Sequence, residues 1–478
     1  MYVILGVLAA LIIFVAVLVV RALNFNPKVM PTRQIQEEIF DGDKAVENLR
    51  ELVRFKTVSY RNKSLEDETE FQKLITRLPY LYPNVFGACE CNELPDRALL
   101  FKWSGKSHSE PCVMMAHYDV VPVNEEAWDK PPFDAVLEDG IIWGRGTLDT
   151  KVTMNGILSA AEKLIEDGFV PENDIYFAFS GGEEINGRGA ANIVDFFEKN
   201  GITPALVVDE GGAVLENVFP GVTAPCGLIG IAEKGMMDVE YRAKSGGGHA
   251  SAPKPHTPIG ILSAACCRIE NNPFKYHITK PVAAMFDTLG RHSSFLYKII
   301  FANIGVFGFV LDLICKAKGG ELNALMRTTV AFTQMTGSSA SNVIPPEATM
   351  VSNIRLNPED SMDSALEYIK KTVADPNVEV TCLHGMNPSR VSEIDCDAYN
   401  KVADAVADTW TGTIVSPYLM VQCSDSRHYG RISDKVYRFS AMALTSEERA
   451  TIHGNNERIR VDAVKKAVEF YIRLMRKC

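Results

Sequence analysis

Apolar residues fill the chain from Val3 to Val20 without a charge. That length is close to the ~20 residues needed to cross a bilayer. No basic stretch precedes the run, and Arg21-Ala22-Leu23-Asn24 offers no small-x-small cleavage site, so it reads as an uncleaved signal anchor. From Asp41 to Arg54 the pattern is helical, with Ala45, Leu49, Leu52 and Val53 on one face, and residues 66 to 78 read as a further helix. Short apolar runs then alternate with helical stretches as far as Val208. This βαβ rhythm predicts a mostly parallel sheet with helices on both faces.

After Lys234-Gly235 the character changes. Met236 to Ala243 alternates like a strand with one exposed face, and Ile259 to Glu270 reads as a helix. Strands at Arg327 to Thr333 and Ala348 to Leu356, a helix at Ser361 to Val373 and a strand at Val378 to Leu383 complete a split βαβ, ferredoxin-like pattern. The predicted class is α/β: a three-layer domain interrupted by an α+β domain and preceded by a transmembrane helix. The divisions are an anchor at 1–21, a linker at 22–36, the main domain at 37–234 and 387–478, and the insertion at 235–386. Phe295 to Cys315 is strongly apolar and aromatic, with Lys298 and Asp312 near its ends. It reads as a buried helix; a membrane-dipping helix and an apolar substrate wall are the alternatives.

Composition narrows the classes. A chain of 478 residues exceeds one typical core. A net charge of −11, with no basic patch interleaved with aromatics, excludes nucleic acid as the expected partner. The 11 cysteines are odd in number and lack metal-type spacing, so they read as buried thiols rather than a disulfide framework. Arg21, Lys28 and Arg33 follow the apolar span, which by the positive-inside rule favours a cytoplasmic domain. Asn62-Lys63-Ser64 is a glycosylation sequon that matters only on the luminal side.

The chemistry lies where apolar runs end. Val113 to Ala116 ends on His117-Tyr118-Asp119-Val120-Val121-Pro122, and Gly144-Arg145-Gly146-Thr147-Leu148-Asp149-Thr150-Lys151 follows. Ile175 to Ser180 runs into Gly181-Gly182-Glu183-Glu184, Ala205 to Val208 into Asp209-Glu210-Gly211-Gly212, and His453-Gly454 follows a polar loop. In an open α/β sheet such residues gather at the carboxyl ends of the strands. Five candidate ligands and a spare glutamate exceed what one four-coordinate zinc needs, and suit two ions sharing a carboxylate.

These motifs, in this order and spacing, resemble the dinuclear zinc aminoacylase/carboxypeptidase G2 family of metallopeptidases. Within it the chain is most similar to the membrane-associated Gly-Xaa carboxypeptidases (carboxypeptidase S) and the N-fatty-acyl-amino acid synthase/hydrolases. The resemblance implies two zinc ions per subunit. His117 and Asp209 would hold one, Glu184 and His453 the other, and Asp149 would bridge them. Zinc suits the mixed nitrogen and oxygen donors, although cobalt or manganese would also bind. Asp119 would orient His117, because His-x-Asp puts both side chains on one face of an extended chain. Adjacent residues of an extended chain point opposite ways, so Glu183 and Glu184 should have different tasks, and the resemblance makes Glu183 the general base. The resemblance also implies a cis peptide after Asp149. The chain departs from the family at Thr150, often acidic or Asn in relatives, and at Gly182, where relatives carry Asp.

In the inserted domain the resemblance makes His249 the oxyanion donor, often supplied across a homodimer. It makes Asn342 and Arg355 substrate contacts, and Arg427 reads as part of a further pocket loop. An Arg fork suits a free α-carboxylate. The expected activity is release of a C-terminal amino acid from short Gly-Xaa-like peptides, with hydrolysis or synthesis of N-fatty-acyl amino acids as the alternative. A membrane-tethered, non-catalytic binding protein is the reading from another class; the intact ligand set opposes it. Relatives place the catalytic domain in a lumen or outside the cell, against the charge rule.

Overall fold

The computed structural model describes residues 1–28 and 35–478, so Arg33 and the centre of the expected linker lie outside the described residues. The main domain is built on an eight-stranded sheet: β1 (Glu90–Leu94), β2 (Ala98–Trp103), β3 (Ser107–His117), β4 (Asn173–Ser180), β5 (Leu206–Leu215), β6 (Cys226–Glu233), β7 (Ile414–Met420) and β8 (Val436–Leu444). Their spatial order is β1-β2-β4-β3-β5-β8-β6-β7. The centre, β4-β3-β5-β8, is parallel, as the βαβ rhythm predicts. On one side β2 and β1 join antiparallel, and on the other β6 runs antiparallel to β8. The outermost strand β7 is parallel to β6, so the sheet is mixed with its parallel pairs in the majority along that order, and the short β1–β2 connection is a hairpin.

The central strands are buried on both faces. Along β3, Cys112, Met114 and Ala116 enter one apolar cluster, while Val113 and Met115 enter another. This explains the unbroken apolar runs in the sequence. Helices Gly42–Arg54, Lys151–Glu166 and Val461–Met475 pack together on the first face, and Gly189–Lys199 covers part of the second. The Gly42–Arg54 helix forms where its periodicity predicts, capped by Asp41 accepting from the Lys44 amide at 2.9 Å.

The inserted domain is a four-stranded antiparallel sheet in the order Thr329–Thr336, Glu347–Leu356, Gly235–Lys244, Val378–Met386. Helices Pro258–Asn271 and Met362–Val373 cover one face with a core of their own, including Met237, Val239, Leu262 and Ile369. Between these elements the chain makes an excursion. Helices Lys280–Gly290, Phe295–Phe301, Ile304–Lys318 and Gly320–Met326 bury Met285, Phe286, Phe301 and Leu311 in the main domain's cluster, not in the insertion's. The buried helix expected over Phe295 to Cys315 is instead two helices bent by 107°, with an exposed outer face. Asn303 breaks them: its side chain donates to the carbonyls of Ile299 and Leu18, at 2.9 and 3.1 Å, in place of a continued helix.

The apolar N-terminal run is one helix, Tyr2–Asn24. All 11 cysteines are free.

Candidate active site

Strands β3, β4 and β5 and two loops bring two histidines and several carboxylates together. His117 ends β3 and is buried. Its Nε2 lies 2.9 Å from Asp149 Oδ1 and 3.5 Å from Glu210 Oε1. On the other side of Asp149, His453 Nε2 lies 3.0 Å from Oδ2 and 3.1 Å from Glu184 Oε2. Each oxygen of one carboxylate thus faces a different imidazole, and each imidazole faces a further glutamate. Ligands on a tetrahedral ion with bonds of about 2.0–2.1 Å lie roughly 3.3 Å apart, close to these separations.

Asp119 and Glu457 hold this arrangement in place. The Asp119 carboxylate, fully buried, accepts the Glu183 and Glu184 amides at 3.1 and 3.2 Å. It also lies 3.5 Å from His117 Nδ1. The Asp119 carbonyl is nearer, 2.9 Å from His117 Nδ1, so this residue orients the histidine through its backbone and the paired glutamates through its carboxylate. Glu457 accepts the Leu148 and Asp149 amides at 2.7 and 3.2 Å and pairs with buried Arg145 at 2.6 Å. Sequence reasoning missed this brace. Its signal was a glutamate four residues after His453, in a chain whose Gly144-Arg145-Gly146 turn needs an internal anion. Lys151 points away from the cluster and donates to the carbonyls of Leu52 and Phe55 at 2.9 and 2.7 Å; burial pulls its pKa down to about 7. The peptide bond between Asp149 and Thr150 is cis.

The expected ligand Asp209 is not in the cluster. Its Oδ2 accepts the Ser426 amide at 2.8 Å, and Glu210 takes the place next to His117. The cause is a bulge. Arg438 on β8 pairs with Asp209, but the next residue, Phe439, pairs with Gly212, so Glu210 and Gly211 have no partner in the ladder. The bulge re-aims Glu210 into the site. Gly212 makes it feasible, since a Cβ there would lie 1.8 Å from the Leu228 carbonyl oxygen. The Gly-Gly after Asp-Glu was the available signal.

Electrostatics point the same way. Burial, with repulsion from Asp425 and Glu184, raises the Glu183 pKa well above its ordinary value despite the nearby His117. Burial and the Asp149 charge do the same for Glu210. Burial would raise Asp149 too, but hydrogen bonds from His117 and His453 outweigh it and hold that carboxyl low. Those bonds to Asp149 and Glu184 push His453 up to about 10. Glu184 Oε1 is buried and has no hydrogen-bond partner among the described residues. Packed carboxylates that repel one another, with an oxygen left unsatisfied, fit divalent cations.

The substrate residues expected in the insertion divide. His249 and Asn342 come together, because Gly248–His249 pairs with Val343–Ile344 and the Ala250 amide donates to the Asn342 carbonyl at 2.9 Å. Both are exposed and neither touches the cluster. Arg355 lies 3.4 Å from Cys423 Sγ and 3.1 Å from Asn353 Oδ1. Arg427 donates to the Ser424 carbonyl at 2.6 Å and to Asn186 Oδ1 at 3.2 Å.

Beside the cluster a cavity of about 380 Å³ runs into the main domain. Asp149, Glu183, Glu184, Glu210 and His453 form its polar end, and Cys423 stands in its wall. The rest is largely aliphatic and thioether: Ala213, Leu215, Leu228, Met420, Met442 and Leu444. At Glu321, Tyr418 Oη donates at 2.9 Å and Arg449 Nη2 at 3.0 Å, and all three residues line the cavity.

Comparison with known proteins agrees with the site. Residues 113–477 match the model of Peptidase family M20/M25/M40. The chain belongs to peptidase family M20. It is 34% identical to the N-fatty-acyl-amino acid synthase/hydrolase PM20D1 of Xenopus tropicalis, across 98% of this chain and 93% of that protein. It is 33% identical to the probable carboxypeptidase S-like 2 of Dictyostelium discoideum, across 90% and 84%. Among solved structures, the M20 family metallo-carboxypeptidase Sso-CP2 from Sulfolobus solfataricus superposes with a TM-score of 0.68 at 18% identity, covering 90% of this chain and 98% of that one. The M20 protein is thus a hydrolase of the metallopeptidase type on the family's α/β fold.

Proposed function

We propose that the M20 protein hydrolyses the amide bond between an apolar acyl group and an amino acid with a free carboxylate. The observation that carries this reading is the apolar cavity opening directly from the carboxylate cluster. Between the cluster and the Glu321–Arg449 pair, a peptide's N-terminal part would lay an amine or further amides against Leu215, Leu228, Met420, Met442 and Leu444, whose side chains offer no hydrogen bond. An alkyl chain brings none. Long-chain N-acyl amino acids therefore come first. Short peptides with apolar penultimate residues are the second reading, favoured by the similarity to the carboxypeptidase S-like relative.

His117 and Glu210 would hold one zinc ion, Glu184 and His453 a second, with Asp149 between them. The ions, when bound, polarise the scissile carbonyl and make water acidic enough to attack near neutral pH. Glu183 takes the proton of the attacking water on a carboxylate oxygen and returns it to the leaving nitrogen. Asp119 keeps His117 and the Glu183-Glu184 turn in register. Arg355, next to the cavity wall at Cys423, binds the carboxylate of the leaving amino acid. His249 and Asn342 would reach a substrate only from another position of the insertion or from a second subunit. Helix Tyr2–Asn24 would anchor the protein as a signal anchor, with the catalytic domain luminal or extracellular.

The test uses the purified full chain in detergent with zinc, assayed against N-oleoyl, N-octanoyl and N-acetyl forms of one amino acid and against a blocked Gly-Leu dipeptide. A kcat/KM that rises with acyl length and exceeds that for the peptide is expected. A higher value for the peptide moves the enzyme to the carboxypeptidase reading. No turnover of any substrate with two zinc ions bound would sink both.

A further inference from the structure

The outer face of the helical excursion is uncovered. Phe295, Leu296 and Tyr297 on its first helix, and Phe309, Leu313 and Ile314 on its second, are between 40% and 74% exposed. These helices are not loose. Phe301, on the inner side, stacks on Phe219 and Phe286 with ring centroids 4.6 and 5.3 Å away. The exposed face is thus held outward by the main domain's core. A contiguous apolar face of this kind marks an interaction surface.

The N-terminal helix indicates what covers it. Tyr2–Asn24 has 23 residues, and an 18-residue stretch of it reaches a mean hydropathy of 3.4. At 1.5 Å per residue it is about 34 Å long, enough for a hydrocarbon core of ~30 Å. Its far end docks on the excursion. Leu18 and Ala22 are buried, Asn303 donates to the Leu18 carbonyl at 3.1 Å, and the Arg291 guanidinium lies 4.5 Å from the Phe25 ring centroid. Leu18 precedes the end of the helix by six residues, about 9 Å along its axis. Interfacial helices sit roughly 5–10 Å into the headgroup and acyl boundary, the same depth. Arg21 lies in the last turn of the N-terminal helix, Lys298 in that of Phe295–Phe301, and Lys318 in that of Ile304–Lys318, the positions from which long basic side chains reach headgroups.

We infer that Phe295–Phe301 and Ile304–Lys318 are seated in the lipid leaflet that surrounds the lower end of the N-terminal helix. The protein then touches the bilayer through a platform as well as a tether. The platform leads to the active site: Gly320–Met326 follows it directly and carries Glu321 into the cavity wall. An acyl chain dissolved in that leaflet would enter the cavity past Glu321. This route rests on the acyl amino acid reading; the seat in the lipid does not.

The experiment places the full chain in vesicles of ordinary or bromine-labelled phosphatidylcholine. Phe309→Trp and Leu313→Trp add one emitter each to the four native tryptophans. Leu383→Trp, exposed on the insertion's sheet, is the control. Loss of the added emission at 309 and 313, with none lost at 383, is expected in brominated vesicles. Undiminished emission at 309 and 313 overturns the seat in the lipid, and a concentration-dependent blue shift would then identify a second copy as the cover. In wild-type vesicles, Leu296→Glu with Leu313→Glu should raise KM about tenfold for an N-oleoyl substrate and leave a soluble N-acetyl substrate unchanged. Equal effects on both, with quenching intact, remove the acyl route and keep the platform.

Discussion

The two halves of the active site are built differently. Around Asp149 the ligand-bearing segments are braced from behind. Asp119 ties His117 to the Glu183-Glu184 turn, Glu457 ties Asp149 to Arg145, and a bulge fixes Glu210. In the insertion, His249 stands on an exposed two-residue ladder with Asn342 just before the partner strand, and its ring bonds to Ser251, two residues on, at 2.8 Å. The braced half needs fixed separations to hold ions. The unbraced half needs freedom to close on substrates. Mutations in the first should therefore alter metal content or the chemical step, and mutations in the second should alter affinity.

The sharpest break in this comparison is at Glu183. Glu183→Gln keeps the size of the side chain and removes the proton acceptor. Turnover should fall by about 10²–10⁴-fold. Metal analysis should still find the wild-type metal content, because Glu183 is not assigned as a ligand. Wild-type kcat in this variant would remove the general base from the mechanism.

Next in size is the contrast between two adjacent acids. Glu210→Ala should lose one of two metal ions. Asp209→Asn should keep both and bind them about 10–100-fold more weakly at most, as for residues that orient ligands. Zinc titration against a competing chelator measures both. The opposite order would return the site to Asp209 and refute the bulge argument.

That pair also marks how far the sequence could be read. The βαβ rhythm predicts the parallel centre of the sheet, because strands buried on both faces leave unbroken apolar runs such as Val113 to Ala116. The ligand-bearing strand ends follow from the same pattern. Asp209 and Glu210 are indistinguishable to it, because a strand end fixes a position only to one residue, and a one-residue slip turns the side chain to the other face. The antiparallel pairing of β6 with β8 was also hidden: β6 is apolar up to Glu233 like the parallel strands of the centre, and direction leaves no mark on such a run. Phe295 to Cys315 reads as one buried helix because its inner face is as apolar as a core helix. Only the three-dimensional contacts separate Phe301, which is buried, from Phe309, which is not.

In the substrate half the expected effects are smaller. Arg355→Ala should raise KM by about 10–100-fold, the worth of a hydrogen bond to a charged group of roughly 1.5–3 kcal/mol, with kcat little changed. Arg355→Lys keeps the charge and loses the fork, so it should recover only part of the affinity. A fall in kcat with KM unchanged would move Arg355 from carboxylate binding to the chemical step.

The finest test lies inside the cavity, where the braced end meets the apolar wall. Leu444→Trp adds volume to a wall residue that no assigned ligand touches. It should lower kcat/KM for an N-oleoyl amino acid by about tenfold, roughly 1.4 kcal/mol. The N-acetyl substrate, whose acyl group ends near Glu183, should be unaffected. A loss common to both would mean that the wall supports the carboxylate cluster rather than the acyl chain. A loss confined to the long chain would separate the two functions of the cavity, holding ions at one end and measuring hydrocarbon along the other.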